Sequence, residues 1–277
     1  MSPAVLRGDQ LVLRYGNTVV VHGVSVALAP GRVTALVGPN GSGKSTLLRA
    51  LARLHRVDGG AVLLGRPERP VSLLSAREFA REVTLFSQSR QAPHGLTVSE
   101  VVAFGRHPHR RRFAGPSTAD RSAVDRAMDV TGVTAMAGRP VGELSGGEMQ
   151  RVWLAACLAQ ETGVVLLDEP TNHLDLRYQI ETLDLVRDLA DEHGVAVGIV
   201  LHDLDHAARV ADTLLLLSAG HIHAAGDPFE VLTAEHLTAV YGLRVEVEAD
   251  PRTGRLRIDP VGRHPARNRT TPGVKLA

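Results

Sequence analysis

One stretch of the chain combines glycines, a lysine and a serine in the pattern G-x-x-x-x-G-K-[ST], which is typical of polyphosphate-binding loops. The glycines allow backbone N–H groups to point inward around a phosphate, and the helix that follows contributes the positive end of its dipole. Lys44 is expected to reach the β- and γ-phosphates, and the Ser45 hydroxyl is expected to be a ligand of Mg²⁺. A chance glycine-rich turn is disfavoured because an apolar strand precedes the loop and a helical pattern follows it. The residues of this phosphate loop are Gly38, Pro39, Asn40, Gly41, Ser42, Gly43, Lys44, Ser45 and Thr46.

Two adjacent carboxylates, Asp168 and Glu169, follow the apolar run at residues 164–167. An aspartate at the end of a buried strand can hold Mg²⁺ opposite the phosphates, either directly or through water. Glu169 is expected on the other side of the strand end, where its carboxylate could polarise an attacking water molecule. Acidic residues also end strands simply because loops are polar. The phosphate loop upstream favours the chemical interpretation, in which the pair contributes to nucleotide hydrolysis.

A third motif, which begins at Leu144, reads L-S-G-G-E-M-Q-R. Ser145 and Glu148 have the spacing of a capping box at the start of a helix. Gly146 and Gly147 after the cap expose the amides of the helix N-terminus to an anion, which a cap alone does not require. With the phosphate loop before it and the acidic strand end about twenty residues after it, this motif resembles the signature motif of the ATP-binding cassette (ABC) ATPases.

Further landmarks of that family occur in the expected order, and the resemblance covers about residues 8–245. The matching residues are Tyr15 for the aromatic residue that stacks on adenine, Gln88 for the glutamine loop, Asn172-His173-Leu174-Asp175 for the D-loop and His202 for the switch histidine. The resemblance implies that two copies of the chain bind ATP between them in a head-to-tail dimer. Each copy would supply half of each site, so hydrolysis would require dimerisation.

The same resemblance implies a role for each part of such a site. The phosphate loop of one copy would bind the phosphates, and the signature residues 145–147 of the other copy would cap the γ-phosphate. Asp175 would lie at the interface between the two copies. His202 would contact the γ-phosphate and hold the attacking water together with Glu169. Gln88 would contact Mg²⁺ and pass the state of the site to a partner protein.

Short apolar runs alternate with helical patterns along much of the chain, which is typical of a parallel sheet covered on both faces. We therefore predict an α/β fold with a P-loop NTPase core, in which a mostly parallel sheet has helices on both faces. The runs that predict its strands lie at residues 33–37, 164–167, 195–201 and 213–217.

Two regions outside this core have different patterns. The first 28 residues alternate apolar and polar positions, with turn residues such as His22 and Gly23 between the runs, which predicts an N-terminal antiparallel β-subdomain in the form of a meander. Capped amphipathic patterns at about residues 90–162 predict an inserted α-helical subdomain. The predicted limits are 1–245 for the ABC ATPase domain, 246–261 for a C-terminal β-hairpin and 262–277 for a disordered tail.

Composition excludes several classes of protein. The 277 residues are 44% hydrophobic and 22% charged, which is ordinary for a globular protein and excludes a disordered or fibrous chain. The net charge of +1 gives no electrostatic reason to expect nucleic acid as a partner. No apolar run approaches the ~18 residues that a membrane-spanning helix needs. Any membrane role is therefore expected to come through a partner, with the chain peripheral on the cytoplasmic side of the cell membrane.

A segment of the helical subdomain indicates what is transported. It reads T-V-x-E-x-V-x-x-G-R-x-P-H from Thr97 to His109, and it predicts a capped amphipathic helix that ends at Gly105 before a basic turn. This motif resembles the cassettes that drive uptake of iron–siderophore complexes and, more broadly, of haem and cobalamin. The chain is therefore expected to hydrolyse ATP for an importer of a metal chelate, ferric siderophore first and haem or cobalamin next. The ATPase subunit of an exporter is the alternative.

The resemblance also implies the partners and cofactors of the chain. The partners are a second cassette in a homodimer, integral membrane permease subunits and, indirectly, a periplasmic or lipid-anchored substrate-binding protein. The cofactors are ATP and Mg²⁺. The permease surface is expected around Gln88 and the first helix of the helical subdomain. The basic run at residues 106–112 is either a solvated face or a contact for acidic groups on a membrane partner or on anionic lipid.

Overall fold

The computed structural model describes residues 6–87, 95–110, 115–172 and 174–262. Gln88, His173 and the predicted tail from residue 263 onward therefore lie outside the described residues. The strands are β1 (Leu6–Tyr15), β2 (Thr18–Leu28), β3 (Val33–Val37), β4 (Gly59–Leu64), β5 (Arg69–Pro70), β6 (Val83–Ser87), β7 (Val164–Asp168), β8 (Ala196–Val200), β9 (Thr213–Ser218), β10 (His221–Gly226), β11 (Val245–Ala249) and β12 (Leu256–Pro260).

The α-helices lie between these strands and cover the sheets. They are α1 (Lys44–Leu51), α2 (Ala76–Ala80), α3 (Val98–Val102), α4 (Thr118–Val130), α5 (Gly146–Leu158), α6 (Leu176–Asp191), α7 (Leu204–Val210), α8 (Pro228–Val231) and α9 (Ala234–Tyr241). In the described ranges, none of them combines the length and the apolar composition that crossing a bilayer requires.

The central sheet has the strand order β10-β9-β3-β8-β7-β6. Strands β9, β3, β8, β7 and β6 are mutually parallel, and β10 joins the edge antiparallel to β9. Strands β3, β7 and β8 are buried along their whole length because apolar clusters cover both faces of the sheet. The predicted α/β core with a mostly parallel sheet is confirmed.

This strand order brings distant parts of the chain to one edge of the sheet. The phosphate loop follows β3, Asp168 ends β7, and His202 comes shortly after β8. Strands β3, β8 and β7 are adjacent and parallel, so their carboxyl ends and the loops that follow lie side by side. The candidate site is therefore assembled by the order of the strands in the sheet.

The N-terminal antiparallel sheet has the strand order β2-β1-β4-β5, and one part of its prediction was wrong. His22 and Gly23 do not form a turn but lie inside β2. The pairing with β1 shifts by one residue there, between Leu11↔Val24 and Val12↔His22. A β-bulge of this kind adds one residue to a strand without ending it, so turn-forming residue types are compatible with a continuous strand. The other neighbour of β1 is β4, which follows α1 in the chain.

The described residues between β6 and β7 form helices, as the capped amphipathic patterns predict. Helices α3, α4 and α5 bury their apolar faces against one another in a cluster separate from those of the central sheet. Each of them begins at a capping box, with Thr97, Ser117 and Ser145 at the respective N-caps. The predicted limits of the domains and of this subdomain stay predictions.

The segment with the G-R-x-P-H motif does not have the predicted helix end. Helix α3 ends at Val102, and a 3₁₀ turn continues over Ala103–Arg106, through Gly105. A Cβ atom at Gly105 would lie 2.1 Å from the carbonyl oxygen of Ala156 on α5. Glycine is required at this position because the two backbones pack closely, and not because a helix ends there.

Arg106 does not fit the first of the two interpretations of the basic run, a solvated face. The residue is buried, and its Nε donates a hydrogen bond to Asp120 at 3.0 Å. Its Nη1 donates to the carbonyl oxygen of Ala159 at 2.8 Å and to Glu161 at 2.7 Å. A charged side chain needs such partners when it is removed from water. The burial of Arg106 could not be predicted, because the sequence does not show that the 3₁₀ turn directs this side chain toward the end of α5.

The next residues of the basic run are also attached to neighbouring elements. The carbonyl oxygen of Pro108 accepts hydrogen bonds from Arg77 and Arg81 at or next to α2, each at 2.9 Å. The His109 ring contacts the carbonyl oxygen of Gln160 at 2.8 Å, from Nε2. In the described residues, this turn therefore fastens the helical subdomain to α2 and to the end of α5.

We expect Arg106→Ala to lower the free energy of unfolding by about 3–5 kcal/mol, because the buried carboxylate of Asp120 loses the guanidinium that compensates its charge. Arg126→Ala is a matched control. Arg126 donates to the same Glu161 carboxylate at 2.6 Å, but its side chain is 63% exposed, so its loss should cost no more than about 1 kcal/mol. Urea unfolding followed by circular dichroism at neutral pH measures both values. Equal losses in the two variants would contradict this role of Arg106.

Neutral pH is the right condition because Asp120 is fully ionised there. Hydrogen bonds from Ser117, with Arg106 beside them, lower the pKa of Asp120 from its ordinary 3.8 to about 2. A lowered carboxyl pKa stabilises the folded state fully at pH values above the ordinary pKa. This contribution is lost as the pH falls from about 3.8 toward 2.

The described chain ends in an antiparallel pair of strands, β11 and β12, whose register runs from Val245↔Pro260 to Ala249↔Leu256. Apolar side chains of both strands, among them Val247 and Ile258, pack against the apolar cluster that covers one face of the central sheet, and β11 contacts α9. Strand β12 also packs against α7, the helix that follows His202.

Candidate active site

The phosphate loop connects β3 to α1, and its described structure shows why the first glycine is needed. Gly38 has a φ of 141°, and a Cβ atom there would lie 2.1 Å from the carbonyl oxygen of Leu217. The hydroxyl of Ser42 is buried, and its oxygen has no hydrogen-bond partner among the described residues. A buried, unpartnered hydroxyl beside a helix N-terminus fits an anion with several oxygen atoms, such as a polyphosphate.

Lys44 is buried at the first position of α1, and its side chain folds over the phosphate loop. Its Nζ donates to the carbonyl oxygens of Gly38 at 2.8 Å and Pro39 at 3.0 Å. Burial lowers the pKa of Lys44 below its usual value, and the nearby charges of Glu169 and Asp168 oppose that shift. The two carbonyl groups are neutral partners that phosphate oxygens could replace.

Asp168 is buried at the end of β7 and has a partner for each carboxylate oxygen. Ser45 Oγ donates to one oxygen at 2.7 Å, and Arg49 Nη2 lies 3.4 Å from the other. A hydroxyl and a carboxylate beside a phosphate loop are hard oxygen ligands of the kind that Mg²⁺ prefers. Ser45 and Asp168 therefore fit the predicted metal site. Arg49 was not predicted as a neighbour of Asp168, although it lies one helical turn after Ser45 on α1 and that spacing indicates the contact.

Glu169 and His202 are in direct contact, although 33 positions separate them in the chain. Glu169 Oε1 lies 2.5 Å from His202 Nε2, and the Glu169 backbone N–H donates to the carbonyl oxygen of Val200 at 3.2 Å. Glu169 has a φ of 55°, which is rare for a residue other than glycine and costs about 1–3 kcal/mol. Such strain persists where the surrounding structure over-determines the conformation, and functional side chains are frequent at such positions.

The residues after Glu169 turn back toward it. Asn172 Nδ2 donates to Glu169 Oε2 at 2.6 Å, a contact that the sequence analysis missed. In the sequence, only the three-residue spacing between Glu169 and Asn172 indicated this contact. A tight turn brings the two residues together, and it is closed by a hydrogen bond from the Asn172 N–H to the Glu169 carbonyl oxygen at 3.3 Å. Asp175 caps α6 by accepting a hydrogen bond from the Tyr178 N–H at 3.1 Å. Its role at an interface between two copies stays a prediction.

The signature residues begin α5 at the surface of the subunit. Ser145 Oγ accepts from the Glu148 N–H at 3.3 Å, and the Ser145 N–H donates to the Glu148 carboxylate at 2.8 Å. Hydrogen bonds that the Glu148 carboxylate accepts from the backbone N–H and the side chain of Ser145 lower the pKa of Glu148. Ser145 and Gly146 are exposed, and a Cβ atom at Gly146 would meet open space. The predicted capping box is confirmed, and the first turn of α5 is accessible to an anion from outside the subunit.

Two contacts attach α5 to the segment that follows Glu169. Gln150 Nε2 donates to the carbonyl oxygen of Pro170. The Arg151 guanidinium carbon lies 4.2 Å from the centroid of the Tyr178 ring on α6. The helix with the signature residues is thus directly connected to the turn that carries Glu169 and Asn172.

Tyr15 ends β1, apart from the residues described so far, and its side chain is 52% exposed. Its ring centroid lies 4.7 Å from that of His55, with an interplanar angle of 58°. An exposed aromatic ring of this kind is available for stacking on a nucleotide base. Gln88, the remaining predicted site residue, is outside the described residues.

Comparison with known proteins shows which family has this arrangement. The sequence model of the family described as "ABC transporter" matches residues 21–172, which is more than half of the chain. The chain belongs to the ABC transporter family. ABC cassettes of transporters hydrolyse ATP and work as dimers with membrane permease partners. The prediction of an ATP-hydrolysing ABC cassette is therefore confirmed.

The similarity to individual proteins covers almost the whole chain. The ferric enterobactin transport ATP-binding protein FepC of Escherichia coli (strain K12) is 44% identical over 262 residues, which cover 95% of this chain and 96% of that protein. The cobalamin import ATP-binding protein BtuD of Halobacterium salinarum is 44% identical over 251 residues, which cover 91% of this chain and 62% of that protein. A solved structure of a metal-chelate type ABC transporter in an inward-facing conformation has a TM-score of 0.80 at 28% identity, with 94% of this chain and 98% of that chain covered.

Proposed function

We propose that this ABC cassette hydrolyses ATP to drive import of a metal chelate, ferric siderophore first and haem or cobalamin next. The observation that carries the proposal is the similarity to FepC, which is named for ferric enterobactin transport and is covered over 96% of its length. The cobalamin relative is equally identical, but only 62% of its length is covered. The T-V-x-E-x-V-x-x-G-R-x-P-H motif and the metal-chelate transporter structure support the same class of substrate.

In the proposed reaction, water attacks the γ-phosphorus of ATP and Glu169 is the general base. The water oxygen forms a bond to phosphorus, and Glu169 accepts the proton that this oxygen loses. The bond from phosphorus to the oxygen that bridges to the β-phosphate breaks, and the electron pair leaves with ADP. Glu169 Oε1 now contacts His202. When ATP binds, His202 Nε2 would contact the γ-phosphate in place of Oε1, which would free Oε1 for the water.

The other residues of the site would bind and orient the nucleotide. Lys44 would exchange its two carbonyl partners for β- and γ-phosphate oxygens. Ser45 and Asp168 would hold Mg²⁺, with Gln88 as the further predicted ligand. When bound, Mg²⁺ neutralises negative charge on the phosphate oxygens. Tyr15 would stack on the adenine ring.

We place the second half of each site on another copy of the chain. The exposed first turn of α5 supports this arrangement, because its amides are open to an anion from outside the subunit. The signature residues 145–147 would cap the γ-phosphate of an ATP molecule bound to the phosphate loop of the partner copy. Asp175 would lie between the two sites.

The proposed transporter contains permease subunits and, outside the membrane, a periplasmic or lipid-anchored substrate-binding protein. The cassette would lie on the cytoplasmic side of the membrane, where ATP is available. Glu100 and Phe104 are exposed on and after α3, whereas Arg106 is buried. The permease contact is therefore proposed at the exposed side of this helix, and the G-R-x-P-H motif contributes by holding the helix in place.

Deletion of the gene is expected to abolish uptake of a labelled ferric siderophore and to impair growth on limiting iron. The wild-type gene should restore both, and a gene with Glu169→Gln should restore neither, because transport depends on hydrolysis. The strain must lack any second cassette able to substitute. Normal uptake in such a strain would contradict the proposal that ferric siderophore is the substrate. Uptake of labelled haem and cobalamin would then be measured in the same strain.

A further inference from the structure

We propose that Asn172 is a positioning residue for ATP hydrolysis, which orients the carboxylate of Glu169 toward the attacking water. The inference rests on the role of Glu169 proposed above. Among the described residues, each oxygen of that carboxylate has one partner, His202 Nε2 at 2.5 Å from Oε1 and Asn172 Nδ2 at 2.6 Å from Oε2. Asn172 is thus one of two side chains that determine where the carboxylate points.

The two partners differ in what happens when ATP binds. In the proposed mechanism His202 turns its Nε2 toward the γ-phosphate, and Glu169 Oε1 becomes free to accept a proton. The bond from Asn172 to Oε2 then remains as the restraint on the carboxylate. Ordering a glutamate side chain costs rotamer entropy. A hydrogen bond to an ionised group is about twice as strong as a neutral one, so a single amide can offset this cost.

The backbone around Asn172 holds its amide in place before ATP binds. Its own N–H donates to the carbonyl oxygen of Glu169 at 3.3 Å, which closes the turn. Gln150 on α5 and Gln179 on α6 donate to two further carbonyl oxygens of the same turn. These contacts fasten the turn from two sides, so the amide of Asn172 does not have to be ordered during the reaction.

Asn172→Ala and Asn172→Asp test the inference in the full-length chain with Mg²⁺ and ATP. The alanine variant should lower kcat about 10- to 100-fold with less than about a twofold change in KM for ATP, because a misplaced base affects the chemical step. The aspartate variant keeps the size of the side chain but places a second carboxylate beside Glu169. A carboxylate cannot donate a hydrogen bond to Oε2, so kcat should fall at least as far as in the alanine variant, again with less than about a twofold change in KM.

Gln179→Ala is the matched control for the structure of the turn. It removes another amide that donates to the turn, to the carbonyl oxygen of Thr171 at 3.4 Å, but that amide does not contact Glu169. Its kcat should stay within about threefold of wild type, because the bonds from Gln150 and from the Asn172 N–H still hold the turn. A loss in this variant as large as in Asn172→Ala would overturn the inference and assign Asn172 to the turn alone.

A double variant separates this inference from the proposal on which it rests. Asn172→Ala should cause no further loss in a chain that already has Glu169→Gln, because no carboxylate remains to be oriented. The same fold loss in both backgrounds would overturn the inference. If Glu169→Gln abolishes hydrolysis and Asn172→Ala has wild-type kcat, the inference about Asn172 fails alone. If Glu169→Gln is itself active, the role of Glu169 fails first.

Discussion

Glu169→Gln is expected to lower the rate of ATP hydrolysis at least ~10²-fold and to leave ATP binding intact. The amide has the shape of the carboxylate, and the proposed Mg²⁺ ligands Ser45 and Asp168 are unchanged. What is lost is the oxygen that accepts a proton from water. ATP should therefore remain uncleaved between two copies, and a dimer should accumulate. Phosphate release measures the rate, and size-exclusion chromatography with ATP measures the dimer.

Glu181→Gln is the control for this experiment. Glu181 lies on α6, where its carboxylate accepts a hydrogen bond from exposed Arg177 at 2.7 Å, and it does not belong to the site. The same chemical change there should leave turnover at the wild-type level. Turnover of Glu169→Gln near the wild-type rate would refute the assignment of Glu169 as the base.

Lys44→Ala is expected to weaken ATP binding at least about 10-fold and to abolish measurable hydrolysis. The change removes the charge that faces the β- and γ-phosphates, and a hydrogen bond to a charged group contributes about 1.5–3 kcal/mol. The Nζ of Lys44 contacts the carbonyl oxygens of the loop itself, at Gly38 and Pro39, so the change acts locally. Equilibrium titration with a fluorescent ATP analogue measures the dissociation constant.

Two other variants test whether the charge of Lys44 is responsible for ATP binding and whether Ser145 acts on the ATP that is bound to the other copy. Lys44→Arg keeps the charge and should bind ATP more tightly than Lys44→Ala. Ser145→Arg should leave ATP binding to a single subunit intact and block the dimer, because Ser145 is proposed to act on the partner copy. Mixed Lys44→Ala and Ser145→Arg subunits contain one intact site and should recover partial activity. An unchanged dissociation constant in Lys44→Ala would show that the phosphate loop is misassigned.

The motifs could be predicted from the sequence because each depends on residues that are close in the chain. The phosphate loop needs glycines, a lysine and a hydroxyl at fixed offsets between a strand and a helix. The capping box at Ser145 needs a carboxylate three residues later, and Glu148 supplies it. Full burial of β3, β7 and β8 follows from their continuous apolar runs. Such features are independent of the rest of the fold.

Two features of the fold depend instead on residues that are distant in the chain. His22 and Gly23 have turn-forming types, but pairing with β1 along the whole strand keeps β2 continuous through a bulge. Arg106 begins a basic run, but its position on a 3₁₀ turn against α5 surrounds it with Asp120 and Glu161. In both cases, partners distant in the chain outweigh the local preference.

For this ABC cassette the sequence by itself determined the chemistry of each motif and the alternation of strands and helices, because side-chain types and periodicity are local properties. Only the tertiary structure decided which groups meet. Ser45 and Asp168 are 123 positions apart and form a hydrogen bond because β3 and β7 both pair with β8. The contacts of Glu169 with His202 and Asn172 depend on that strand order and on a tight turn after β7. Contacts of this kind follow from the order of strands and the path of the backbone, which no short stretch of sequence encodes.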